Sequence, residues 1–318
     1  MSDWVDLNEN QLRQMVDSQS LWAAWRQASK AAQQVRGSMF WREMRGVKYL
    51  IRTTAAGAQT TIGRDTPEDR EIYARFIERK ARNQEMLRGL KLRMAEQRRL
   101  NRAYRVGRTP GVIVKVLQAL EAAGIAEHFT TIGTNAIYAY ESAAGVRVSP
   151  GATATLDLDL LFDARRRLAF LTTMQRMDTS LIGVLRKADP SFTLRDDQLQ
   201  TAFNKDGFEV DIIRRAATSK DPHPMRMTDG EEDLWAVQIP DGERLAAGHR
   251  FESLVVSAAG EMALMRALHP LAFIRVKQQL AASPSRPKLK ADKDALQARV
   301  VQALWDEHLS LLERGAQA

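Results

Sequence analysis

Apolar positions along the chain follow two rhythms. In residues 7–35 Leu12, Val16, Leu21, Trp22 and Trp25 recur at roughly helical spacing within a polar background, which predicts a helix. Two short runs then flank Arg45-Gly46, namely residues 39–44 and 47–52, and predict a β-hairpin with glycine at the turn. A Gly/Ala/Thr loop follows. Thr66 as cap, Pro67 at the first helical position and Asp69 three residues past the cap predict a second helix. It is expected to reach about Tyr104, with a break near Gly89.

Gly107, Pro110 and Gly111 mark a boundary. Beyond it the pattern predicts a helix over 112–123, an apolar stretch at 129–132 and a helix over 136–142. A strand is expected at 156–162, then a helix over 179–187 with Asp178 as its cap. Residues 200–204 and 208–213 surround Lys205-Asp206-Gly207, a hairpin signal. From residue 251 the pattern reads as helical again, over 251–268, 271–281 and 292–312. Three parts are expected: a basic helical region with a hairpin (1–108), a central α/β part (109–225) and a C-terminal helical part (226–318).

Composition removes several chemistries. The 318 residues include no cysteine, which excludes disulfides, thiolate metal sites and thiol nucleophiles. Five histidines, none three or four residues from another, make an imidazole-built metal site a poor expectation. Any metal should then be a hard cation on carboxylates. No apolar run is long enough to span a bilayer, and the start lacks a basic-then-apolar leader pattern, so a cytoplasmic location without membrane contact is expected. Charge is uneven. Residues 1–108 hold 22 basic and 12 acidic residues, against 25 and 27 in the remainder. Residues 78–108 alone carry eleven basic and three acidic residues, the footprint of a polyanion partner or of a solvated helix face.

Three segments carry candidate chemistry. Ile132-Gly133-Thr134-Asn135 runs from a strand into a helix through glycine, a turn that offers free backbone N–H groups and a hydroxyl to a phosphate. Leu156 to Phe162 alternates, so Leu156, Leu158 and Leu160 are expected inward and Asp157 and Asp159 together on the other face. A cation would relieve the repulsion between the two carboxylates. In the later strand Phe208, Val210 and Ile212 read as inward, with Asp211 opposite; Glu209 shares its face and reads as a solvated neighbour. A phosphate turn plus three carboxylates on neighbouring strands suits two-metal phosphoryl transfer.

Gly133-Thr134, then Asp157-x-Asp159, then a lone Asp211 on a later strand resembles the polymerase-β-type nucleotidyltransferase superfamily. The resemblance is best to a branch of bacterial nucleotidyltransferase-fold proteins, with Gly133-Thr134-Asn135-Ala136-Ile137-Tyr138-Ala139-Tyr140-Glu141 as the glycine motif, and more distant to abortive-infection toxin nucleotidyltransferases. It covers residues 110–215 best. It departs in having Thr134 where Ser or Gly is commoner, and in a spacing of 24 positions from Gly133 to Asp157, which implies an inserted loop. The resemblance implies an α/β (α+β) fold: a polymerase-β-like core with a mixed sheet, flanked by the N-terminal helical and hairpin region and a C-terminal helical domain. It implies an NTP substrate bound by Gly133, Thr134 and Asn135, with Mg²⁺ or Mn²⁺ on Asp157, Asp159 and Asp211. Asp211 would also activate the acceptor hydroxyl. By likeness to the toxins, Lys277 on a C-terminal helix would meet the triphosphate. The acceptor would be a nucleic acid, held by the basic N-terminal arm, or a protein. The alternative is a non-catalytic nucleic-acid-binding or antitoxin-like protein on the same fold.

Overall fold

The computed structural model describes residues 3–54, 57–219, 221–239 and 242–312. It divides into two compact units, Gln14–Leu100 and Met1–Arg13 with Asn101–Ala318.

The chain begins with β1 (Trp4–Asp6) and α1 (Glu9–Gln34). The smaller unit continues through β2 (Ser38–Met44), β3 (Val47–Thr53) and β4 (Gln59–Arg64) into α2 (Pro67–Ala103). α1 and α2 run antiparallel: Gln97 Nε2 donates to Gln14 Oε1 (2.9 Å) near one end and Arg79 to Gln34 (3.2 Å) near the other. Leu21, Trp25 and Ala28 pack on Leu87, Leu90 and Met94 between them. The expected hairpin is present, in register from Ser38 with Thr53 to Met44 with Val47. The stretch read as a loop supplies a third antiparallel strand, β4, whose polar, exposed residues give no alternation to read. Thr66 caps α2 by accepting from the Asp69 N–H (3.2 Å), and the helix continues unbroken through Gly89.

The larger unit adds α3 (Gly111–Ala122), β5 (Phe129–Ile132), α4 (Ile137–Ala144), β6 (Val146–Val148), α5 (Pro150–Thr153) and β7 (Asp157–Phe162). Then come α6 (Arg167–Met177), α7 (Leu181–Ala188), β8 (Thr193–Leu194), β9 (Thr201–Phe203) and β10 (Glu209–Arg214). It ends with β11 (Met225–Arg226), β12 (Trp235–Gln238), α8 (Gly242–Ala247), β13 (Arg250–Val256), β14 (Met262–Leu268), α9 (Pro270–Ala281) and α10 (Lys288–Leu304). Among the described residues nine strands form one mixed sheet, with the path β11-β12-β10-β7-β5-β14-β13 and β8–β9 branching from β10. Leu158, Leu160, Val210 and Ile212 are buried in one apolar cluster with Ile113, Val116 and Leu120 of α3 and Leu181 and Leu185 of α7. That cluster packs beneath the middle of the sheet where β7 and β10 meet.

Several expectations are corrected. Residues 251–268 form the β13–β14 hairpin, not a helix. Residues 254–256 of β13 and nearly all of β14 are apolar and buried on both faces, and such runs carry no period. The turn is set by Gly260, at φ +80°, whose N–H donates to the Ser257 carbonyl (2.8 Å). Residues 226–318 are therefore not a helical domain: they add strands to the same sheet as residues 109–225. Asp178 does not cap α7. It sits at φ +48° and closes α6, while Ser180 accepts from Gly183 N and caps α7. Leu156 is 70 % exposed and precedes β7 rather than facing the core. Among the described residues no helix is long and apolar enough to cross a membrane.

Candidate functional site

Parallel pairing of β7 with β10 sets the site. The register places Asp159 beside Asp211 and Asp157 beside Glu209, so the carboxylates share the sheet face opposite Leu158, Leu160, Val210 and Ile212. β5 lies on the other side of β7, with Ile132 paired to Asp159, so the chain leaves β5 at Gly133 directly beside the carboxylates. Gly133 is at φ +65°, and a Cβ there would collide with the Asp159 carboxylate. Glycine is thus demanded twice, by its backbone conformation and by the closeness of Asp159.

Short side chains hold the acids. Thr201 Oγ1 donates to Asp211 Oδ1 (2.5 Å), and Thr155 donates to Asp157 Oδ1. Asn135 is buried and its Nδ2 donates to the Asp157 carbonyl (2.5 Å), so its amide braces the turn against β7. The Thr134 hydroxyl accepts from Gln297 Nε2 of α10 (3.1 Å). That same Nε2 also donates to the Ala152 carbonyl (2.7 Å), which fixes the amide's orientation because a carbonyl can only accept. Thr134 therefore keeps its own proton for another acceptor.

Cations from α9, α10 and the loop between them flank the acids. Lys277, 6 % exposed, pairs with Asp294 Oδ1 (2.7 Å), and Arg286 with Asp294 Oδ2 (2.8 Å). Lys293 Nζ donates to the Ala154 carbonyl (2.6 Å). Burial, with Lys277 nearby, lowers the Lys293 ammonium, and Asp157 opposes that shift. Burial pushes Asp159 up to about 7, helped by repulsion from Asp157 and Asp211 and opposed by Lys277. Burial likewise raises Asp211 against the Thr201 hydrogen bond.

Among the described residues no three Asp, Glu, His or Cys side chains converge into a ready chelate. Mg²⁺ commonly takes only one or two carboxylates and completes its shell with substrate phosphates and water. A carboxylate pair on β7 beside the Gly133 turn fits that mode, and the all-oxygen donors fit a hard cation.

Other polar and aromatic residues near these elements are engaged in structural contacts. Glu209 pairs with Arg195 (2.5 Å). Tyr138 and Tyr140 are both buried, and the Tyr140 hydroxyl donates to the Leu268 carbonyl (2.6 Å). Asp163 caps a short turn and pairs with Arg165 (2.8 Å). The His223 Nδ1 accepts from Arg214 (3.0 Å). Sequence reasoning missed Gln297, Thr155 and Thr201. Gln297 left one signal: it is a polar residue on the helical face shared by Val300, Val301 and Leu304.

Residues 112–317 match a family model described as nucleotidyltransferase. The chain belongs to this family. No curated protein and no solved structure matches the chain. For a nucleotidyltransferase, the ionisation of Asp159 has a measurable consequence. The folded protein holds the Asp159 proton up to about pH 7, whereas the unfolded chain releases it near the ordinary value of 3.8. Between those values the folded state binds more protons, so this group's contribution to stability falls as pH rises from about 4 to 7. Asp159→Asn is expected to remove that fall and to raise the melting temperature above pH 7 relative to wild type, read as the difference between their pH–Tm curves without divalent cations. Parallel curves would show that Asp159 is not the buried acid described here.

Proposed function

We propose that the larger unit is a polymerase-β-type core that transfers a nucleoside monophosphate from an NTP to an acceptor hydroxyl. The observation that supports it best is the register that sets Asp159 beside Asp211, with Gly133 packed against Asp159. The backbone of the Gly133–Thr134 turn and the Thr134 hydroxyl bind phosphate oxygens, and Lys277, Arg286 and Lys293 offset the triphosphate charge. Asp211, held through one oxygen by Thr201, uses the other to take the acceptor proton. The acceptor oxygen then bonds to the α-phosphorus, the bond from the α-phosphorus to the bridging oxygen breaks, and pyrophosphate leaves. Asp157 and Asp159 would hold Mg²⁺ or Mn²⁺, which would supply neutralisation of charge on the attacking and leaving oxygens.

The acceptor is proposed to be a nucleic acid, in keeping with the excess of basic residues before residue 109. Incubation with each α-labelled NTP, Mg²⁺ and total RNA, DNA or protein tests this. Label should enter a nucleic-acid fraction. Label in protein alone would reassign the acceptor, and nucleic-acid binding with no NTP binding would favour a non-catalytic binding protein.

The turn gives a second test. Thr134→Ser should be mild. Thr134→Ala should weaken NTP binding by about 1.5–3 kcal/mol, the range for a hydrogen bond to a charged group. Gln297→Glu should act like Thr134→Ala, because a carboxylate would accept the hydroxyl proton that Thr134 otherwise offers to phosphate. Calorimetric titration that finds normal NTP affinity in both Thr134→Ala and Gln297→Glu would remove the turn from the nucleotide site.

A further inference from the structure

The three-stranded sheet of the smaller unit has an outer face on which exposed arginines stand beside half-buried aromatic rings. Met39, Trp41 and Leu50 form its inner face, against Val35 and against Ile72, Tyr73 and Phe76 of α2. On the outer face the register aligns Phe40 with Ile51 and Thr61, then Arg42 with Tyr49 and Arg64, then Met44 with Val47. Arg42, Met44, Val47, Thr61 and Arg64 are exposed there, Phe40 and Tyr49 are half-buried, and Ile51 at the centre is buried. The Arg42 guanidinium lies 5.4 Å from the Phe40 ring centroid, and that of Arg64 lies 6.0 Å from Tyr49. Residues 36–64 hold six basic residues and one acidic residue. The acidic one, Glu43, is aligned with Lys48 and belongs to the inner face. Among the described residues neither Arg42 nor Arg64 pairs with a carboxylate.

We propose that this outer face, with Arg42 and Arg64 set beside Phe40 and Tyr49, docks single-stranded nucleic acid. Phosphates call for cations that no carboxylate has neutralised, and unstacked bases call for aromatic rings or guanidinium planes to lie on. The face supplies both on neighbouring strands. α2 carries more charge, but part of it is neutralised locally: Arg75, Arg82 and Arg88 each pair with a glutamate about one helical turn away. A duplex keeps its bases stacked and would use only the arginines. An acidic protein would likewise gain little from two rings flanked by guanidinium groups. The proposal names the partner class for the transfer reading, yet it stands without it, because binding is measured with no NTP present.

The test is fluorescence anisotropy of the full chain with a labelled single-stranded RNA of about 20 nucleotides, at ~50 mM salt and upward. The duplex of the same sequence and poly-glutamate serve as competitors. Wild type should bind the single strand and prefer it to the duplex. Phe40→Ala with Tyr49→Ala should weaken binding about tenfold or more with little change in salt slope, since stacking is lost and charge is kept. Tyr49→Phe should retain wild-type affinity, which separates stacking from loss of fold. Arg42→Gln with Arg64→Gln should reduce the slope of log K against log salt by about 1.4, two single-strand phosphate contacts. Failure of wild type to bind, equal or tighter binding of the duplex, or displacement by poly-glutamate would overturn the proposal. Unchanged affinity in both the ring and arginine variants would do so too, even if Arg93, Arg98, Arg102 and Arg105 changed to Glu abolished binding, which would put the contact on α2 and the turn after it.

Discussion

Asp157→Asn combined with Asp159→Asn is expected to abolish nucleotidyl transfer and the thermal stabilisation that Mg²⁺ plus NTP confers. A ligand at one hundred times its dissociation constant stabilises a protein by about 2.7 kcal/mol. For a unit of this size that is a shift of several degrees, readily measured. The pair should lose it because both side chains of β7 that face the Gly133 turn become neutral. The fold should survive. Leu158 and Leu160 keep β7 in the core, the Asn135 hydrogen bond goes to the residue-157 backbone, and the burial cost of an ionised Asp159 disappears. A double variant that melts as a folded protein but shows the full ligand-dependent shift would displace the metal and nucleotide site from β7.

Asp211→Asn should divide binding from chemistry. An asparagine can still accept from Thr201 Oγ1, so the local structure and most of the nucleotide contacts remain. What is lost is the capacity to take a proton, and transfer should fall by about 10²-fold or more, the usual cost of removing a general base. Nucleotide affinity, measured separately by calorimetry, should change little. Burial raises Asp211 above an ordinary aspartate, which suits it to accept a proton. Glu209 is held by Arg195. Turnover close to wild type in the Asp211 variant would point to Glu209 as the base.

The elements around the Gly133 turn and the β7 and β10 carboxylates are the most legible part of the sequence. The Gly133 turn, the alternation around Asp157 and Asp159, and the Lys205-Asp206-Gly207 hairpin before Asp211 are local signals, and each matches its element in the structure. The parallel register between β7 and β10 is a long-range pairing, so the sequence could only allow it. Strands buried on both faces hid themselves: 254–256 and 262–268 lack the alternation that marks a half-buried strand, and were expected as helix. β4 failed for the opposite reason, since exposed Gln59, Thr60 and Thr61 offer no apolar rhythm at all. Asp178 and Ser180 both suit a helix cap, and only the left-handed backbone at Asp178 assigns it to the end of α6. Gln297 reaches the site from 163 residues beyond Thr134, a distance over which no local pattern speaks.

The central claim is that the α-phosphate, not the γ-phosphate, moves. Parallel reactions with α-labelled and γ-labelled NTP, Mg²⁺ and total RNA test it, with the Asp157→Asn, Asp159→Asn protein as the control. The account predicts that the α-label becomes bound to acceptor, that the γ-label appears only in released pyrophosphate, and that neither occurs in the control. Transfer of the γ-label to the acceptor, or α-label incorporation that persists in the control, would contradict it.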